Sequence, residues 1–267
     1  MKGNGFLKKV IWLFPSLIGF FVFYLLPFLL SFYYALIESA FSGRFVGLAN
    51  MAELLENPYF CRAMKNTLLF TAVSVPAVML LSAAAAILLL WFTRRIPLVR
   101  VAFFLPVLLP SAVIAAVWNG YLPQSVQAHP FLSLLVLFLW KYSGLNIMLI
   151  FTALTGVDRD MLDAAQIDGA GGGRQIFFIT LPNITPTLFF VLILSFVNSL
   201  KIYRESYLLY GNHPAECVYM LQNYLGNQFD KLNYQNIASA AVVFSVLVYT
   251  AVAVLLYSER KWSASVW

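Results

Sequence analysis

Val10–Ile37 reads VIWLFPSLIGFFVFYLLPFLLSFYYALI, an apolar run bounded by Lys9 on one side and Glu38 on the other. A hydrocarbon core about 30 Å thick needs about 20 apolar residues of helix, so this run is long enough to cross a bilayer with some tilt. It shows no alternation with period two, which argues against a barrel strand. Lys2, Lys8 and Lys9 precede it as they would a secretory signal, yet the apolar segment is about twice a usual signal core and no A-x-A site follows. It is therefore expected to remain as an anchor.

The same pattern recurs outward along the chain. Asn66–Thr93 lies between Lys65 and Arg94, Gln175–Leu200 between Arg174 and Lys201, and Leu232–Ser258 between Lys231 and Glu259. From Arg100 to Asp158 only Lys141 interrupts, and the polar break Pro123–Pro130 (PQSVQAHP) divides that stretch in two. The expectation is an all-α polytopic membrane protein, a single domain over 1–267 with six transmembrane helices at about 10–37, 66–93, 98–122, 131–157, 180–203 and 233–258. Composition agrees: hydrophobic residues are 61% and charged residues 10% of the 267, where soluble domains have roughly 45–50% and about 25%. A soluble enzyme, a disordered scaffold and a nucleic-acid-binding domain are excluded. The 17 basic residues behind the net charge of +6 sit at the edges of apolar runs, so they mark topology and form no stripe for nucleic acid. Cys61 and Cys217 make neither a disulfide framework nor a metal site, and no metal ligand set is expected.

Basic residues also set the orientation. With both termini in the cytoplasm, the short inner segments hold Lys2, Lys8, Lys9, Arg94, Arg95, Arg100, Arg260 and Lys261, while the outer loop around Gln124 holds no lysine or arginine. Two longer segments, about 38–65 and 204–231, are then outside. In the first, Asn50 with Glu53 reads as a capping pair and Asn57-Pro58 as a cap followed by a first-turn proline, predicting two short surface helices. In the second, Val218, Leu221, Tyr224, Leu225 and Phe229 recur at helical spacing, a face for the membrane surface or for the protein's own helices.

One sizeable polar loop lies inside: Asp158–Pro182, DRDMLDAAQIDGAGGGRQIFFITLP. Asp158, Asp160 and Asp163 gather where a helix dipole favours acids, Ala164-Ala165 gives a small-sided surface, and Gly169 with Gly171–Gly173 is expected to end the helix. Asp163-Ala164-Ala165, Asp168-Gly169-Ala170, Ile179-Thr180-Leu181-Pro182 and Pro186 resemble the E-A-A-x-x-D-G-A…I-T-L-P…P signature of membrane-spanning subunits of binding-protein-dependent ABC importers. Phe45-Val46-Gly47-Leu48 with Asn50, Leu54-Leu55, Asn57-Pro58, Asn66-Thr67-Leu68, Leu105-Pro106 with Pro110 and Trp118, and Trp140-Lys141 are similar to the carbohydrate-uptake branch. Two departures stand out: Asp163 replaces the usual glutamate, and the glycine triplet is expected to loosen the turn.

The resemblance implies a type I ABC importer permease in a bacterial inner membrane, with a cytoplasmic coupling helix docking into a cleft of an ATPase subunit. The coupling residues would be Asp163, Ala164, Ala165, Asp168, Gly169, Ala170, Leu181 and Pro182. No G-x-x-x-x-G-K-[ST] occurs, so ATP and Mg belong to the partner ATPase, this chain binds no cofactor, and no catalytic residue is expected. The implied partners are a second homologous permease, two ATPase copies, an extracytoplasmic solute-binding protein, a carbohydrate substrate and membrane lipid.

Polar residues inside spans are expensive and tend to face cavities. Ser195, Asn198 and Lys201, spaced by three, read as one polar face of the fifth span. By resemblance, pathway positions fall on Asn198 and Lys201, on Ser111 after Pro110, and on Lys141 with Tyr142. Lys141 alternatively snorkels to the outer headgroups, and Arg204 with Glu205 reads as a solvated pair. Two pathway lysines would favour an oligosaccharide cargo, with an acidic sugar such as a uronate weighted above what the resemblance alone implies. The competing reading is an ion-coupled secondary sugar transporter, disfavoured because no Asp or Glu sits securely within a span.

Overall fold

Prolines mark where helices begin. In the computed structural model Pro58, Pro97 and Pro130 are each the first residue of a helix, a place where the missing N–H costs nothing and φ is already helical. The structure describes residues 13–39, 42–92, 97–121, 123 and 127–266. These form α1 (Leu13–Ala35), α2 (Ala49–Glu56), α3 (Pro58–Phe92), α4 (Pro97–Leu108), α5 (Ser111–Tyr121), α6 (Pro130–Thr155), α7 (Arg159–Ile167), α8 (Leu181–Leu200), α9 (Tyr203–Tyr210), α10 (Leu221–Asp230) and α11 (Tyr234–Val266). Among the described residues, extended pairing is confined to a bridge between Ile37 and Phe45.

Leu13–Ala35, Pro58–Leu90, Pro130–Thr155, Gly172–Tyr210 and Tyr234–Trp262 are long and apolar enough to cross a membrane, and the bent pair Ala102–Leu108 with Ser111–Tyr121 makes up to 6 spans. Three expected boundaries need correction. The second span starts at Pro58, so the predicted second short helix is the first turns of α3; the fifth runs through Gly172–Tyr210. Charge ends an apolar window but not a helix, which continues into the polar phase with its hydrogen bonds intact. The third is broken, with its two halves bent by 109°. Pro110 supplies no N–H and disfavours helical geometry at Leu109, while its carbonyl accepts from Val113 and Ile114 to start α5.

Asn57 caps α3 as expected, its Oδ1 accepting from the N–H groups of Tyr59 (3.0 Å) and Phe60 (3.3 Å). Asn50 does not cap α2. The residue before that helix is Leu48, and Asn50 Nδ2 donates instead to the carbonyls of Ala35 (3.0 Å) and Ile37 (2.8 Å), freed at the end of α1.

Two π-turns, Phe21–Leu25 and Ile176–Thr180, each lie just ahead of a proline, Pro27 and Pro182. Proline cannot donate and crowds the carbonyl one turn back, and the wider turn accommodates it.

The chain divides into two compact units. In the first, Met1–Cys61 with Tyr224–Val248, Ala35, Ala238 and Val242 are buried together against Phe32, Tyr34 and Met51, and the rings of Phe60 and Tyr224 meet edge to face at 5.5 Å. In the second, Arg62–Asn223 with Tyr249–Trp267, one apolar cluster centres on Phe70, Ile114, Leu134 and Phe138, and another on Ala86, Ile150 and Val191. Val218, Leu221 and Tyr224 are fully buried. This face of α10 therefore packs on the protein itself, and only its end, at Phe229, is exposed.

Candidate functional site

Glycine and aspartate shape the inner loop into a rigid element. Asp158 caps α7, its side chain accepting from the Asp160 N–H at 3.0 Å, where the positive end of the helix dipole favours an acid. At the other end Asp168 is the cap and Gly169 takes φ +80°. The Ala170 N–H donates to the Ala165 carbonyl (2.9 Å) and the Gly169 N–H to that of Gln166 (3.1 Å), the paired bonds of a Schellman turn.

The glycine triplet does not end α7. Gly171 is extended, and Gly172 and Gly173 open the helical run that continues through the π-turn into α8. The expected loose turn is thus a short, bonded corner, tightened by Gln175 Nε2 donating to the Ala170 carbonyl (3.1 Å). No residue of α7 is buried. Asp163, Ala164, Asp168 and Gly169 are exposed, while Ala165, Ala170, Leu181 and Pro182 are half-buried. Ile167 is 87% exposed, so this helix presents an apolar tip that its own chain leaves uncovered.

Inside the second unit the polar residues assemble differently from the sequence expectation. Lys141 on α6 and Glu205 on α9 form an ion pair, with Lys141 at 7% and Glu205 at 1% exposure. Ser111, the first residue of α5, donates to the same carboxylate oxygen at 2.7 Å and lies 3.4 Å from Lys141 Nζ. The Pro110 break is what brings Ser111 there. Lys141 Nζ also stands 5.3 Å from the centre of the Tyr142 ring, within cation–π range. Taking either charge out of water alone costs several kcal/mol, roughly, and a buried pair survives by mutual compensation plus added hydrogen bonds.

Three expectations are corrected here. Lys141 neither snorkels nor offers a free ammonium, because Glu205 holds it. Glu205 is not solvated with Arg204; it is buried while Arg204 is exposed. A buried acid therefore lies near the end of the helical run Gly172–Tyr210, and it carries its own counter-charge. The stripe Ser195–Asn198–Lys201 is not one face either. Ser195 is fully buried and accepts from Asn146 Nδ2 at 2.8 Å, Asn198 is half-buried, and Lys201 is exposed at the end of α8. Asn146 and Glu205 were missed. Their signal is an amide and an acid inside apolar helices, but their partners stand 49 and 64 residues away. Cys61 and Cys217 are both free and exposed.

Residues 79–260 match the family described as "Binding-protein-dependent transport system inner membrane component". The chain is 29% identical over 274 residues to the arabinooligosaccharides transport system permease protein AraP of Bacillus subtilis (strain 168), covering 92% of this chain and 85% of that protein. It is 27% identical over 287 residues to the lactose transport system permease protein LacF of Rhizobium radiobacter, covering 94% of each. Its fold is similar to a chain in the crystal structure of a bacterial ABC transporter involved in the import of the acidic polysaccharide alginate, with a TM-score of 0.75, 20% identity and 96% of each chain covered.

Proposed function

Because the chain belongs to the family of inner membrane components of binding-protein-dependent transport systems, we propose that it forms one half of the membrane channel of an ATP-driven importer and passes an oligosaccharide received from an extracytoplasmic binding protein. It is a multi-pass membrane subunit with the type I importer permease fold, and its relatives are sugar permeases. The observation that carries the reading is α7: a helix capped at both ends, with no buried residue and an apolar tip, continuous through one bonded corner with a membrane-crossing run. Such an element suits insertion into a cleft of a cytoplasmic ATPase, with Asp163, Ala164, Ala165, Asp168, Gly169, Ala170, Leu181 and Pro182 at or behind the contact. ATP and Mg belong to that subunit, two copies of it pair with this chain and a second permease, and both termini of this chain are cytoplasmic.

The cargo is read as a neutral oligosaccharide. Lys141, one of the two lysines that favoured an acidic sugar, is neutralised by Glu205, and Lys201 is exposed at the end of α8. The test is reconstitution of the purified complex, with its copurifying subunits and binding protein, in proteoliposomes. Uptake of a neutral oligosaccharide that requires ATP and exceeds uptake of a uronate oligomer is the expected result. Uptake driven by an ion gradient without ATP would overturn the importer reading, and preference for the uronate would overturn the cargo.

A further inference from the structure

Gly172–Tyr210 is one membrane-crossing run of 39 residues, with the corner behind α7 at one end and Glu205 near the other. Its break between helices, at Lys201–Ile202, is braced: Gln222 Nε2 donates to the Leu200 carbonyl at 2.5 Å, and Ile202 is fully buried. At the far end one carboxylate oxygen of Glu205 holds both Lys141 of α6 and Ser111 of the bent third span. In an apolar surrounding, pulling that pair apart without water to receive the charges is far costlier than moving the joined helices together.

We propose that Glu205 is a positioning residue of the transport cycle: it fastens α5 and α6 to the rod that starts at α7, so that displacement of the docking helix moves all three as one body. The inference rests on the importer reading and adds to it the place where movement is handed from one span to two others. The Pro110 break gives the bent span its freedom to follow, since the helix is interrupted there and its halves are bent by 109°.

Two measurements test it in the full complex. With Cys61→Ser and Cys217→Ser as background, labels are attached at V117C on α5 and L208C on α9, both on exposed positions (40% and 43%), and their separation is measured at rest and with ATP trapped on the ATPase. The expected separation is the same in both states; a change larger than the width of the resting distribution overturns the proposal. The second measurement is the pair Lys141→Met/Glu205→Met, which removes both charges together and leaves no unpaired charge, only the half-buried Ser111 hydroxyl without its acceptor. If the pair serves stability alone, the double variant transports as the wild type does, which overturns the proposal. The proposal expects uptake to fall at least tenfold while ATP hydrolysis continues. Wild-type liposomes that show no ATP-driven uptake would instead fail the importer reading itself, so the two failures are distinct.

Discussion

Gly144 lies three residues beyond Lys141 on α6, and a methyl group placed there would stand 1.6 Å from the Phe103 carbonyl oxygen and 2.6 Å from its carbon. Both are backbone atoms of α4, so no side-chain rotation relieves the clash. Ordinary contact begins at 3.4 Å, so Gly144→Ala obliges α4 to retreat by about 1.8 Å at this point, against an interior packed to crystal density. Overpacking of this kind costs about 1–3 kcal/mol, and the absence of a soft neighbour puts it at the upper end. A cost near 3 kcal/mol lowers the melting temperature of a chain of this size by roughly 6–12 °C. Thermal unfolding of the detergent-solubilised protein, followed by size-exclusion fluorescence, reads this directly. A melting temperature unchanged from the wild type would mean that α4 does not abut α6 at Gly144.

Gly169→Val places a β-branched residue at φ +80°, strain of about 1–2 kcal/mol in the turn behind α7. Uptake per ATP hydrolysed should drop severalfold with the protein still in the membrane, and Gly169→Asn should recover much of it, whereas equal coupling in both would remove α7 from the contact. A cysteine in place of Gln124 in the Cys61→Ser/Cys217→Ser background should react with an impermeant reagent in intact cells and one in place of Arg95 should not; the reverse pattern would invert the orientation. Both positions lie outside the described residues.

The spans were legible because desolvating charge is so expensive that windows between charged residues nearly enclose them. α7 was legible because its ends are written locally, in Asp158 and Gly169. Glu205 was not, since Lys201, Arg204 and Glu205 together imitate a solvated loop, and the partners that bury the acid are contributed by α5 and α6. Asn50 misled for a related reason: its spacing to Glu53 fits a capping pair, but two carbonyls at the end of α1 compete for its amide and win. The stripe at Ser195, Asn198 and Lys201 failed on geometry. A step of three falls about 60° short of a full turn, so two steps carry Lys201 about 120° from Ser195, enough to separate the buried side from the exposed one.

The π-turn at Ile176–Thr180 has a bearing on how the length of this rod tolerates change. Such a turn holds one residue more than the α-helical path needs, so removing a residue within it converts π to α and leaves the far side of the rod facing as before. Removing one anywhere between Leu181 and Leu200 instead rotates all that follows by about 100° and swings the carboxylate at 205 away from Lys141. Insertions and deletions among related chains should therefore collect at this one turn, next to the docking helix, while the distance from it to the acid stays constant to the residue.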